Sequence, residues 1–223
     1  MNSEVTEIKP LPVLDSEEIR VLGALMEKSK ATPEYYPMTL NGLTAACNQK
    51  SSRNPVVNYD ESTVALILDR LKRKGLSATV TGGSSRVTKY RHTIALNYEF
   101  TPDELAVLCL LFLRGPLTPG EINSLSGRLY EFDDLGEVQA VIEKLASHQP
   151  AYIKQLERQP GQKEARFMHL FGDETLLETY TSETVARSSA PAGTDWENRL
   201  EAVEQRLATL QEQFDKLMKE LMG

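Results

Sequence analysis

Asp15-Ser16-Glu17-Glu18-Ile19-Arg20-Val21-Leu22 returns 86 residues later as Thr101-Pro102-Asp103-Glu104-Leu105-Ala106-Val107-Leu108. Each stretch opens on a short oxygen-bearing side chain that can accept from the free amides of a first helical turn. A glutamate three residues on can reach back to complete a capping box. Pro102 sits at the first helical position, where its missing N–H costs nothing. Ile19, Leu22 and Met26, and then Leu105, Leu108 and Phe112, place an apolar stripe at helical spacing.

Working outward from these two helices, the rest of the chain pairs off in the same way. Pro37-Met38-Thr39 introduces a short helix-like stretch through Leu43, and Pro116-Leu117-Thr118 introduces another through Ile122. Val64, Ile67, Leu68 and Leu71 form a third stripe that stops at Gly75. Val138, Val141, Ile142 and Leu145 repeat it before Pro150. Residues 76–80 and 151–156 read as strands, followed by the turn residues Gly82-Gly83-Ser84-Ser85 and Gln159-Pro160-Gly161-Gln162. Return strands follow at 87–92 and 165–169, each with a histidine two residues after an aromatic. Matching elements lie 74 to 86 positions apart, the mark of a tandem duplication. Three helices sealed by a hairpin predict a mainly α protein with small β-hairpins (α+β). It consists of two tandem winged helix-turn-helix domains at 14–98 and 99–171, after a leader at 1–13. Domains of this size are within reach of independent folding, and packing them together would bury more surface.

Residues 172–194 read as a linker, with the flexible run Ser188-Ser189-Ala190-Pro191-Ala192-Gly193. At 195–223 the spacing predicts a C-terminal coiled-coil-like helix, with Leu200, Leu207, Phe214 and Leu221 at one heptad core position and Trp196, Val203, Leu210 and Leu217 at the other. It predicts a homodimer. The alternative is a helix folded back on its own domains. Under four heptads would make a weak dimer alone.

Several motifs have a longer signature. Tyr36-Pro37-Met38-Thr39-Leu40-Asn41, and Ala46-Cys47-Asn48-Gln49-Lys50-Ser51-Ser52-Arg53-Asn54-Pro55-Val56, resemble the bacterial YceH family. So do Glu27-Lys28, Leu68-Asp69-Arg70-Leu71, and Ser85-Arg86-Val87 leading to Lys89-Tyr90-Arg91-His92. The resemblance covers roughly residues 13–171. It implies two winged-helix domains and brings no catalytic or ligand residues with it.

Composition excludes other classes. Of 223 residues, 40% are hydrophobic and 26% charged, close to the soluble globular average. The longest apolar run, Leu105 to Leu113, falls short of the ~20 residues that span a bilayer. The acidic, polar start Met1–Glu7 has no signal-peptide pattern. The expectation is a cytoplasmic protein with no membrane contact. Cys47 and Cys109 lie in apolar helical stretches and read as core thiols. No Cys/His spacing suits zinc, no glycine-rich phosphate loop precedes a helix, and no nucleophile has a neighbouring base in any known local pattern. No metal, cofactor or enzyme activity is expected, and His92 and His169, at matching strand positions, read as structural.

Charge is the feature that points to a partner. Residues 50–91 hold 9 Lys+Arg against 3 Asp+Glu, leaving +6 there and −13 over the rest of a chain whose total is −7. In a winged helix the third helix enters the major groove and the hairpin reaches the flanking backbone. The expected DNA-binding residues are therefore Arg70, Lys72, Arg73 and Lys74 at the end of the third helix, Arg86, Lys89 and Arg91 on the wing, and Lys50, Ser51, Ser52, Arg53 and Asn54 in the loop before the helix. Against this, Asp60-Glu61 begins the third helix, the Cys47–Tyr59 connection is long for a helix-turn-helix, and lysines in a last helical turn suit the macrodipole without any ligand. The second domain is acidic and reads as a pairing or partner-binding copy. Its Leu129, Tyr130 and Phe132 are either core residues or interface anchors. The leading expectation is a non-enzymatic DNA-binding regulator. The alternative is a protein–protein adaptor gripping its partner through the second domain or the C-terminal helix.

Overall fold

Glu18 N donates to Asp15 Oδ1 at 2.8 Å and Asp15 N donates to Glu18 Oε2 at 3.0 Å. This box starts α1, Ser16–Ala31. The computed structural model describes residues 10–82, 85–158, 164–173 and 175, all within the unit Met1–Thr184. After a single 3-10 turn at Pro33–Tyr35 come β1 (Met38–Thr39) and α2 (Leu40–Cys47), whose first turn is capped by Thr39 Oγ1. Asp60 caps α3 (Glu61–Arg73) by accepting from Thr63 N at 2.7 Å. Val64, Ile67, Leu68 and Leu71 of α3 are buried as one stripe. Gly75, at φ 72°, makes the left-handed turn that ends the helix. It leads into the hairpin of β2 (Ser77–Gly82) and β3 (Ser85–His92).

The second half runs the same course. A five-residue α4 (Ile94–Tyr98) leads to α5 (Pro102–Arg114), started by Thr101 N donating to Glu104 Oε2 at 2.8 Å. Next come α6 (Pro119–Ser126), with its own Thr118–Glu121 capping box, and α7 (Leu135–Ser147), capped by Asp134. The short strands β4 (Ile153–Gln155) and β5 (Phe167–His169) pair antiparallel.

The sequence reading gave Met38-Thr39 to a helix entrance. Those residues instead add a third lane to the hairpin, in the order β1-β3-β2, with Met38 opposite Tyr90 and Thr39 opposite Lys89. An extended N-cap residue leaves its neighbours free to pair with a strand. The second half does the same through one bridge, Leu117 N to Phe167 O at 3.1 Å and Phe167 N to Leu117 O at 2.8 Å.

The two halves share a core. Their first helices, α1 and α5, lie against each other, and one apolar cluster runs from Leu22 and Leu25 through Leu108 and Phe112 to Phe171. The approach is close enough to require Gly23. A Cβ there would sit 2.9 Å from Leu113 Cδ2 and 3.1 Å from Phe112 Cβ. Cys109 Sγ lies 3.5 Å from Gly23 O, and both thiols are buried. Burial pushes the Cys47 thiol up to about 12 and Cys109 higher still. Leu14 N donates to Phe171 O at 2.7 Å, tying the start of the first half to the end of the second.

Of the matching histidines, His169 is fully buried and His92 half-buried. The His169 ring packs edge-on against Phe112, 4.9 Å between centroids, and burial lowers its pKa to about 3. Burial, with Lys30 and Arg91 nearby, lowers His92 to about 4, and its Nε2 lies 3.2 Å from Ser29 Oγ. Among the described residues no helix is long and apolar enough to cross a membrane, and no group of three or more His, Cys, Asp or Glu is placed to hold a metal. The heptad residues Trp196 to Leu221 lie outside the described residues.

Candidate nucleic-acid interface

The Cys47–Tyr59 connection is held by side-chain bonds at Asn48, Arg53 and Asn54. Asn48 closes it like a clasp, its Nδ2 donating to Tyr59 O at 2.7 Å and its Oδ1 accepting from Tyr59 N at 2.8 Å. Inside the clasp lies Arg53, whose side chain is 0% exposed. Its Nη1 and Nη2 grip Glu27 Oε1 and Oε2 at 3.1 and 2.6 Å. Its Nε and Nη2 also reach Ala46 O at 3.1 and 2.9 Å, and Nη1 reaches Ser52 O at 3.0 Å. Burial raises the Glu27 pKa, but the Arg53 bonds and charge outweigh it and the net shift is down. Arg53 is thus corrected from a phosphate contact to an internal clamp, because every arm of its guanidinium is spent inside the protein. Asn54 is corrected likewise. Its N–H donates to Leu113 O at 2.8 Å and its Nδ2 to Arg114 O at 3.2 Å. It therefore satisfies carbonyls at the end of α5 that the helix itself leaves open.

Two of the four cations at the end of α3 are also occupied. Arg70 Nη2 lies 2.7 Å from Glu17 Oε2 and 3.5 Å from Asp15 Oδ2. Lys74 Nζ binds the buried Glu18 carboxylate and donates to Val13 O at 2.8 Å. The second half shows what this arrangement is for. There Lys144, at the position of Arg70, holds Glu104, at the position of Glu18, at 2.8 Å. In both halves cations at the third helix meet the capping-box glutamate of the first, Glu18 facing Lys74 and, at 3.9 Å, Arg70. Because the pairing recurs in the acidic half, it serves the fold. The carboxylates at the start of α3 are likewise local: Asp60 is its cap, and Glu61 Oε1 accepts from Asn41 Nδ2 at 2.9 Å.

On α3 and the hairpin, the expected cations Lys72, Arg73, Lys89 and Arg91 have no ion pair among the described residues. Only residues 74–76 separate the end of α3 from β2. Cross-strand pairing sets Arg91 opposite Ala78 and Lys89 opposite Val80. Lys89 and Arg91 share a strand face, since they are two residues apart. Arg86 lies on β3. The exposed side of α3 also carries Asp69 and a 67% exposed Leu66, which the charge count did not reveal.

Lys50, Ser51 and Ser52 do not join this group. They border a cleft of about 710 Å³ shared with Glu27 and Lys28 near the end of α1 and with Arg114 and Arg128 from the second half. Arg70 and Lys74 lie at the other end of the same helix, against Glu17 and Glu18. Ten residues of helix rise separate Glu18 from Lys28, about 15 Å. Lys50, Ser51 and Ser52 therefore lie apart from Arg70 and Lys74. No local sequence pattern marks Arg114 or Arg128 as cleft residues, whereas Glu27 belongs to the Glu27-Lys28 motif.

In the second half, Phe132 is buried, while Leu129 and Tyr130 are partly buried against the core, Tyr130 donating to Glu137 Oε1 at 3.0 Å. A groove of about 560 Å³ runs between α7 and the β4–β5 hairpin and carries the partly exposed Leu135.

The family described as "Protein of unknown function, DUF480" matches residues 14–162. A UPF0502 protein of Shewanella loihica is 44% identical over 92% of this chain and 98% of its own length. One of Opitutus terrae is 52% identical over 74% of this chain and 72% of its own. The UPF0502 protein YceH of Escherichia fergusonii is 40% identical over 93% of this chain and 97% of its own. The chain belongs to the DUF480 family, the family of these UPF0502 proteins, YceH among them.

Proposed function

We propose that the chain is a tandem winged-helix protein and that its first half binds nucleic acid through Lys72, Arg73, Lys89 and Arg91. The helix, helix, helix, hairpin order in each half supports the winged-helix reading. In that arrangement the third helix and the hairpin form the face presented to a duplex. The observation that carries the function is selective neutralisation. The protein spends Arg53, Arg70 and Lys74 on its own carboxylates and leaves these four cations exposed or half-exposed, without a carboxylate partner among the described residues. Such cations suit phosphates and supply affinity more than sequence reading. Fluorescence anisotropy of a short labelled mixed-sequence duplex, at low salt, tests this. Changing Lys72, Arg73, Lys89 and Arg91 together to Ala should abolish binding while leaving the thermal midpoint near wild type. Unchanged affinity would end the assignment.

A second reading rests on the groove between α7 and the β4–β5 hairpin. It combines Leu135, Ile142 and Phe167 with Glu143, Glu164 and Arg158, a mixed apolar and charged lining suited to a peptide segment. As an adaptor the chain would bind one protein partner there, and Leu135→Asp would release it without affecting DNA affinity.

A further inference from the structure

The cleft at the joint of the two halves has the chemistry of a ligand site. Its volume of about 710 Å³ is within the range of small-molecule pockets, roughly 300–1,000 Å³. Four cations border it: Lys28 from α1, Lys50 from the clasped loop, Arg114 from the end of α5, and Arg128 just after α6. Among the described residues the only acidic one in its lining is Glu27, and that carboxylate is already held on both oxygens by Arg53 and at 3.1 Å by Lys28. Lys50, Arg114 and Arg128 have no ion pair among the described residues. The cleft therefore gathers positive charge in a chain whose net charge is −7. Elsewhere in the molecule, Arg70, Lys74, Lys144 and Arg166 each meet a carboxylate.

Arg114 is half-buried. Burial, together with the Arg53 charge and against that of Glu27, holds its guanidinium below its ordinary pKa, as expected where desolvation outweighs a nearby carboxylate. The wall is not uniformly polar, because Leu125 and Leu129 contribute apolar surface beside Arg128. The rim is also fixed in place. Ser52 is held at φ 60°, a region that non-glycine residues seldom occupy, and its carbonyl is pinned by Arg53. A rim held in this way keeps Lys50 and Ser51 over the cleft.

We infer that this cleft binds a small organic anion, one carrying a carboxylate, sulfonate or phosphate head on an apolar body. The head sits among Lys50, Arg114 and Arg128, and the body lies against Leu125 and Leu129. Both halves of the protein contribute, so a bound anion would tie the loop of the first half to α5 and α6 of the second. The inference is independent of any nucleic-acid role for α3 and β3.

The probe is 8-anilino-1-naphthalenesulfonate, titrated by fluorescence into the full chain, beside N-phenyl-1-naphthylamine, which has the same body without the charge. Saturable binding of the sulfonate with a Kd below about 1 mM is expected, together with much weaker binding of the amine. Lys50→Glu with Arg128→Glu should weaken the sulfonate at least about tenfold, since each reversal replaces attraction with repulsion. Both side chains are exposed, so an unchanged urea midpoint checks that the double variant is folded. Restoring cationic charge as Lys50→Arg with Arg128→Lys should restore binding. The inference is overturned by no saturable binding, by equal binding of the amine, by indifference to the charge reversal, or by stoichiometric displacement of the probe by duplex DNA.

Discussion

Replacing Arg53 by Met tests the clamp directly. Met approximates the length of the stem and removes the guanidinium, so Glu27 loses two charge-assisted bonds, at 3.1 and 2.6 Å, and retains only Lys28 at 3.1 Å. Ala46 O and Ser52 O lose their donors as well. Breaking one side of a buried ion pair costs about 3–5 kcal/mol, whereas changing an outward-facing arginine costs within about 0.5 kcal/mol. At about 2–4 °C per kcal/mol for a chain of this size, the clamp predicts a fall of roughly 6–20 °C in thermal midpoint. Urea denaturation followed by far-UV circular dichroism measures the free energy. A cycle with Glu27→Gln should show that most of the loss is shared between the two residues. The pH dependence adds a sign. Arg53 holds the folded-state pKa of Glu27 below its ordinary 4.5, so the stabilisation is present above pH 4.5 and is lost as pH falls through that lowered value. The gap between wild type and Arg53→Met should therefore narrow in acid. A loss under about 1 kcal/mol, equal at neutral and acid pH, would refute the clamp.

Other consequences are as direct. His92 and His169 are neutral in the fold, with pKa values lowered to about 4 and about 3. Below pH 6.5 the unfolded chain takes up protons that the fold refuses, so each histidine should lower stability by about 1.4 kcal/mol per pH unit. Urea midpoints between pH 6.5 and 4.5 should show this slope, and His169→Gln should remove about half of it. Gly23→Val should cost about 1–3 kcal/mol or more in the same assay, because its Cβ meets Leu113 and Phe112 and overpacks the α1–α5 contact. Asn54→Ala leaves the Arg114 carbonyl without its side-chain donor and should cost about 1–2 kcal/mol. It should not change DNA affinity, whereas a phosphate contact at Asn54 would.

Local chemistry is what the sequence shows best. Asp15 with Glu18, and Thr101 with Glu104, mark helix starts because donor and acceptor lie three residues apart. The stripes Val64–Leu71 and Val138–Leu145 mark buried faces because helical period is also local. The mainly α architecture with small hairpins followed from these. β1 was missed because a two-residue strand has no period of its own and is defined by Tyr90 and Lys89, about fifty residues away. α4 is not legible because it spans only five residues, Ile94–Tyr98, makes no side-chain cap bond at Thr93 and stops at Glu99, φ 53°.

The candidate site was less legible, for a reason of charge. A count over residues 50–91 finds cations without finding their partners. Arg53 meets Glu27 at a separation of 26 residues, Arg70 meets Glu17 at 53, and Lys74 meets Glu18 at 56. Whether an arginine faces water or a buried carboxylate is settled by tertiary packing, which no window of sequence contains. The repeat offered one clue: Lys144 stands 74 residues after Arg70, and Glu104 stands 86 after Glu18. A charge pair kept in an acidic half argues for a role in the fold.

The central claim is that four unneutralised cations of the first half meet phosphates, and the salt dependence of duplex binding tests it most directly. Each phosphate contact contributes about −0.9 to the slope of log affinity against log salt, so four contacts predict a slope near −3.6 and about a 150-fold loss of affinity between 50 and 200 mM salt. The wild-type chain should show that slope, and so should Asn54→Ala. An affinity that is flat across the same range, or a slope unchanged when Lys72, Arg73, Lys89 and Arg91 are all Ala, would contradict the claim.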